Sequence, residues 1–89
     1  MLNKLLKNWF EKYDLSCLSL IDVLGAPLEM SDEKGVYYIE GLYFDDDGDL
    51  WGCGMDVDGG EIEVYNVILP HDIELKIINW LSDDGRYNK

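Results

Sequence analysis

The sequence predicts an α+β fold, a three- to four-stranded antiparallel β-meander packed on one face by N- and C-terminal α-helices. Three observations carry that expectation. Apolar and polar residues alternate from Val36 to Leu69, the period of a strand. Two glycine-bearing pairs, Asp47-Gly48 and Gly59-Gly60, cut that stretch into three runs. At both ends of the chain the apolar spacing lengthens to that of a helix.

The first helix is expected over residues 2–13. Leu2, Leu5, Leu6, Trp9, Phe10 and Tyr13 fall on one stripe, and Lys4, Lys7, Asn8, Glu11 and Lys12 take the other side. A second, shorter helix is expected over 15–24, started by Asp14 or Ser16. Gly25 serves as its left-handed stop, with Pro27 just beyond. A strand through Leu18, Leu20 and Ile21 is the competing pattern. Residues 27–30 read as a short edge strand, and Ser31 to Gly35 as the polar turn into the meander. After Leu69, Pro70 opens a helix over 71–82, because its missing N–H would be unpaired there anyway. Asp72 and Glu74 suit the positive end of the helix dipole. Ile73, Ile77, Ile78, Trp80 and Leu81 form its apolar stripe. Residues 83–89 read as a tail.

The three strands are expected at 36–45, 49–57 and 61–69. Taken as two-residue loops, the turns imply a register. Phe44 pairs with Trp51, Leu42 with Cys53, Glu40 with Met55 and Tyr38 with Val57. Across the second loop, Val57 pairs with Ile62, Met55 with Val64, Cys53 with Asn66 and Trp51 with Ile68. Paired residues share a face. That puts Tyr38, Leu42, Phe44, Trp51, Cys53, Met55, Val57, Ile62, Val64 and Ile68 on the core side, under the terminal helices. The opposite face receives Tyr43 and Tyr65 beside the bare backbone of Gly52 and Gly54. Tyrosines lying across that backbone, or walling a shallow groove, are the two readings of it.

With 89 residues there is room for a single domain and one core. Nineteen acidic against seven basic residues give a formal net charge of −12. That charge opposes direct binding to nucleic acid or to an anionic membrane and favours a basic protein partner. No run approaches the roughly 20 apolar residues of a membrane span. Residues 1–10 lack the pattern of a secretory signal. Two cysteines, Cys17 and Cys53, are too few for a disulfide framework and read as reduced, buried thiols. Together these features place the protein in the cytoplasm.

The clearest signal beyond the fold is a run without any basic residue from Gly35 to Leu75. Most of its acids fall in the two hairpin turns or on the open face. Asp45, Asp47 and Asp49 alternate as in a calcium loop, but the sixth position is Leu50 and the twelfth Asp56, so the EF-hand pattern fails. No zinc spacing, phosphate-binding glycine loop or other cofactor motif is present, and no metal or cofactor is expected. His71 is the sole histidine, at a helix start, and no pair of carboxylates stands out as an acid and base. The expectation is therefore a small acidic, non-enzymatic protein-binding module. An inhibitor, a DNA mimic or an immunity protein engaging a basic protein surface are its forms. The expected contact residues are Asp45, Asp46, Asp47, Asp49, Asp56, Asp58, Glu61 and Glu63, with Tyr43 and Tyr65 as aromatic anchors. The alternative is a structural or assembly subunit that self-associates, as a homodimer, or binds through its sheet edge and aromatic face. In that case the acidity serves solubility alone.

Overall fold

An Asp-x-Asp-Gly segment occurs twice, at 45–48 and 56–59, and each folds the chain back on itself in the same way. The structure, a computed structural model, describes residues 2–82. Its elements are α1 (Leu2–Tyr13), β1 (Leu18–Ser19), α2 (Leu20–Leu24), β2 (Leu28–Asp32), β3 (Gly35–Phe44), β4 (Leu50–Asp56), β5 (Glu61–Tyr65) and α3 (His71–Ser82). This is the expected α+β fold, with helices at both ends and one antiparallel sheet between them. Residues 83–89, read as a tail, lie outside the described residues. The contacts divide the chain into two compact units: Cys17–Val67 holds the sheet and α2, and the two chain ends hold α1 and α3.

The turns correct the expected register. Gly48 N–H donates to the Asp45 carbonyl at 3.0 Å, and Asp45 N–H to the Asp49 carbonyl at 3.1 Å. In the second turn Gly59 N–H donates to Asp56 at 3.1 Å, and Asp56 N–H to Gly60 at 2.9 Å. Only Gly48 (φ 83°) and Gly59 (φ 84°) are left-handed within these loops. Both are three-residue loops of the kind that ends in a glycine bulge, not two-residue loops with two left-handed positions. Phe44 therefore faces Leu50, Tyr43 faces Trp51, Leu42 faces Gly52 and Gly41 faces Cys53. Beyond the second loop Met55 faces Glu61, Cys53 faces Glu63 and Trp51 faces Tyr65.

Both hairpins are displaced by an odd number of residues from the expected pairing. An odd slip moves side chains to the opposite face. Leu42, Phe44, Ile62 and Val64 keep the expected side and are joined there by Ile39 and Leu50. Ile39 and Leu42 are fully buried, and Leu50 nearly so. Trp51, Cys53 and Met55 stand instead on the face of Tyr43, Glu63 and Tyr65. A bulge between Ile39 and Gly41 restarts the parity within β3, so Tyr38 joins that open face opposite Met55. Gly54 sits against this bulge, where a Cβ would run into the Tyr38 carbonyl. Gly52 faces the buried side, where a Cβ would come within 3.2 Å of the Ile39 side chain. The glycines thus admit the bulge and the Ile39 side chain, and Trp51 stands between Tyr43 and Tyr65. The third strand ends early, at Tyr65, because Asn66 turns left-handed (φ 52°). Val67 N–H then donates to the Leu50 carbonyl at 3.2 Å, and Ile68, expected on the core face, is 81% exposed.

The other edge of β3 is shared. β2 pairs with its first half, from Asp32 opposite Gly35 to Leu28 opposite Ile39, which supplies the fourth strand expected there. β1 pairs with its second half, Leu18 opposite Leu42. Between them α2 is only five residues long, a correction to the helix expected over 15–24. Its cap is Ser19, whose Oγ accepts from Asp22 N–H at 3.4 Å, in place of Asp14 or Ser16. Leu18 and Leu20 are both buried, and two residues of strand satisfy Leu18 before the helix begins. Gly25 is the expected left-handed stop, with its N–H on the Ile21 carbonyl at 2.8 Å. Asp14 has another task. At φ 54° it ends α1, with Leu15 N–H reaching back to the Phe10 carbonyl at 2.9 Å. This is the bond pattern of a Schellman stop, in which the left-handed residue satisfies carbonyls the helix leaves open.

The terminal unit follows the helical spacing. Leu2, Leu6, Trp9 and Phe10 are the buried stripe of α1, and Ile77 and Leu81 that of α3. The Trp9 and Trp80 rings meet edge to face with centroids 5.5 Å apart. That is a favourable arrangement of two ring quadrupoles. Among the described residues no helix is long and apolar enough to cross a membrane.

Candidate functional site

The open face of the sheet is laid out in rows by the pairing of β3, β4 and β5. Tyr43, Trp51 and Tyr65 form one row, Gly41, Cys53 and Glu63 the next, and Tyr38, Met55 and Glu61 the third. In the first row the Tyr43 and Trp51 rings stack, nearly parallel at 14° with centroids 6.3 Å apart. Trp51 meets Tyr65 edge to face at 5.1 Å.

Each ring of this row hands its polar hydrogen to a carboxylate. Trp51 Nε1 donates to Asp45 Oδ2 at 2.7 Å, Tyr43 OH to Glu63 Oε1 at 3.0 Å, and Tyr65 OH to Asp49 Oδ2 at 2.8 Å. Asp45 is the pivot. Its other oxygen accepts the N–H groups of Asp47 and Asp49, both at 2.9 Å, and so holds the loop. The Trp51 indole, followed by the Asp49, Asp47 and Gly48 backbone groups, holds the Asp45 carboxyl below the usual carboxylate range. Donors directed at the charged form favour it. The phenols move the other way. Burial and then Glu63 push Tyr43 up, and the hydrogen bond to Asp49 pushes Tyr65 up.

The expected contact residues do not form one patch. Asp45 and Asp49 anchor the aromatic row, and Asp46 and Asp47 are exposed at the tip of the same loop. Glu63 belongs to the row through Tyr43, and Glu61 lies two residues further along the same face of β5. Asp56 and Asp58 sit in the other loop, at the opposite end of β4. Six steps at about 3.3 Å each separate the two loops by roughly 20 Å. Asp56 there repeats the role of Asp45 toward the backbone, accepting from Asp58 N–H at 2.9 Å and Gly60 N–H at 2.8 Å. No aromatic side chain is attached to it by a hydrogen bond among the described residues. An open groove over β4 and β5 is lined by Glu40, Cys53, Gly54, Met55, Glu61, Ile62 and Glu63.

Trp51 is the residue that sequence reasoning placed elsewhere. Its apolar bulk and the two-residue loop both argued for the core. The signal that points to the open face is the repeated Asp-x-Asp-Gly, whose leading aspartate closes a three-residue loop. Cys53, also expected in the core, is only partly covered, and Cys17 is exposed. No family model, curated protein or solved structure matches this chain.

Proposed function

We propose that this protein is a non-enzymatic binding module whose acidic, aromatic sheet face takes a basic segment of a partner protein. The observation that carries the reading is the Tyr43–Trp51–Tyr65 row with a carboxylate fastened to each ring. A lysine or arginine side chain gains both from the π-face of an aromatic ring and from a nearby carboxylate. The hydrogen bonds orient the rings before a partner arrives, which lowers the ordering cost of binding. The net charge of −12 adds long-range steering toward a basic surface. An inhibitor, a DNA mimic or an immunity protein would each use such a face, acting in the cytoplasm where Cys17 and Cys53 stay reduced.

Self-association through the sheet edge is the less supported reading. β5 is the outer strand, and its Glu61 and Glu63 would bring like charges together against a second copy.

The test is capture from lysate at about 0.1 M and about 0.5 M salt, since the screening length falls from about 10 Å toward a few ångströms over that range. The native protein and an Asp46→Lys/Asp47→Lys/Asp49→Lys variant are compared. A basic protein held by the native chain at low salt, released at high salt and missed by the variant is the expected result. Equal capture by the variant, or retention at high salt, overturns the acidic-face reading.

A further inference from the structure

The two cysteines meet across a residue that has no side chain. β1 and β4 flank β3, and Cys17 and Cys53 approach each other over Gly41. Each sulfur lies 3.1 Å from the point a Cβ on Gly41 would occupy, so their separation is at most twice that distance. Both thiols are free.

A disulfide does not suit this placement. Cys53 is on β4, and Cys17 precedes β1 on the far side of β3, so at least two strand spacings, roughly 9.6 Å at about 4.8 Å per spacing, part their backbones. A disulfide spans Cα atoms only to about 6.8 Å, and beyond about 7 Å the backbone must move. An atom inserted between the sulfurs changes the reach. Two metal–thiolate bonds of about 2.3 Å separate the sulfurs by about 4.6 Å in a linear bridge, against about 2.05 Å in a disulfide. That span of about 4.6 Å lies within the bound of twice 3.1 Å that Gly41 sets on the separation of the sulfurs.

We propose that Cys17 and Cys53 form a two-coordinate site for a thiophilic monovalent cation, with Cu(I) as the representative ion. Soft thiolates select Cu(I) over the hard divalent cations that acidic loops suggest. Among the described residues no group of three or more histidine, cysteine or carboxylate side chains converges on one point, so a closed tetrahedral zinc site lacks its ligands. Two sulfurs complete a linear site. Glu63, opposite Cys53 in the register, and Glu40 at the bulge add negative potential that a bound cation relieves. Burial, followed by Cys17, Glu63 and Glu40, pushes the Cys53 thiol up. Thiolate is the form that binds metal, so the affinity rises with pH.

The test titrates the reduced full chain, without oxygen, with Cu(I) held by a chromophoric chelator. One ion per monomeric chain is expected, with the affinity growing as pH rises from about 6 to about 8. Cys17→Ser and Cys53→Ser are each expected to weaken binding at least 100-fold, and the double variant to add nothing to their loss. Gly41→Ala, checked for folding by circular dichroism, should also weaken it, because its Cβ would come within 3.1 Å of each sulfur. Native affinity in Cys17→Ser overturns the proposal. So does one ion per two chains in a copper-linked dimer, which would assign the metal to exposed Cys17 residues of separate molecules.

Discussion

The two hairpin loops share one backbone and differ in what grows from it. Asp45 and Asp56 each accept two backbone N–H groups of their own loop, and each loop ends in a left-handed glycine. In the first loop the second oxygen of the leading aspartate takes an indole, and Asp49 takes a phenol. In the second loop the corresponding last position is Gly60, which has no side chain to offer. Val57, at the place of Asp46, is 64% exposed. The difference teaches that the turn itself is a folding device. The attached aromatics are what set one loop apart as a candidate recognition surface.

The largest effect is expected from cutting those aromatics. Trp51→Ala should cost about 2–3 kcal/mol in chemical denaturation, near the lower end for an aromatic truncation because the indole is only half-buried. Val57→Ala in the second loop should fall within about 0.5 kcal/mol of the native protein. Equal losses would erase the distinction between the loops. The glycines should give a smaller effect that is the same on both sides. Gly48→Ala and Gly59→Ala each place a Cβ in a left-handed turn and should cost about 1–2 kcal/mol. A marked inequality between them would show that the loops differ in backbone as well as in attachments.

The smallest effect is a pH dependence belonging to the first loop. Asp45 is held below its usual range in the folded protein, so the unfolded chain takes up its proton first as the solution is acidified. Its contribution to stability is complete above about pH 4 and is lost as the pH falls through the folded value. Asp45→Asn should flatten the acid limb of a melting-temperature profile below about pH 4. An unchanged limb would remove Asp45 as its source.

Much of the fold was legible in the residues. The stripes of α1 and α3, the stop at Gly25 and the positions of both turns follow from local rules that act within a few residues. The face of each strand was not legible, because it depends on loop length and on the bulge at Glu40. A two-residue loop and a three-residue loop with a glycine bulge both accept Asp-Gly. They differ by one residue in pairing, and one residue decides which side meets water. The acids of the site were all named in advance, but their division between two ends of β4 was not.

By itself, then, the sequence determined the elements, the acidic character of the central segment and the chemistry of its turns, since spacing, propensity and charge are properties of the chain. Only the tertiary structure decided that Trp51 joins Tyr43 and Tyr65 on the open face, and that Cys17 meets Cys53 over Gly41. The aromatic neighbours come from three strands, and the cysteines join β4 to the segment ahead of β1 across β3. Their meeting is set by hydrogen-bond register across the sheet, a relation that no local stretch of sequence contains.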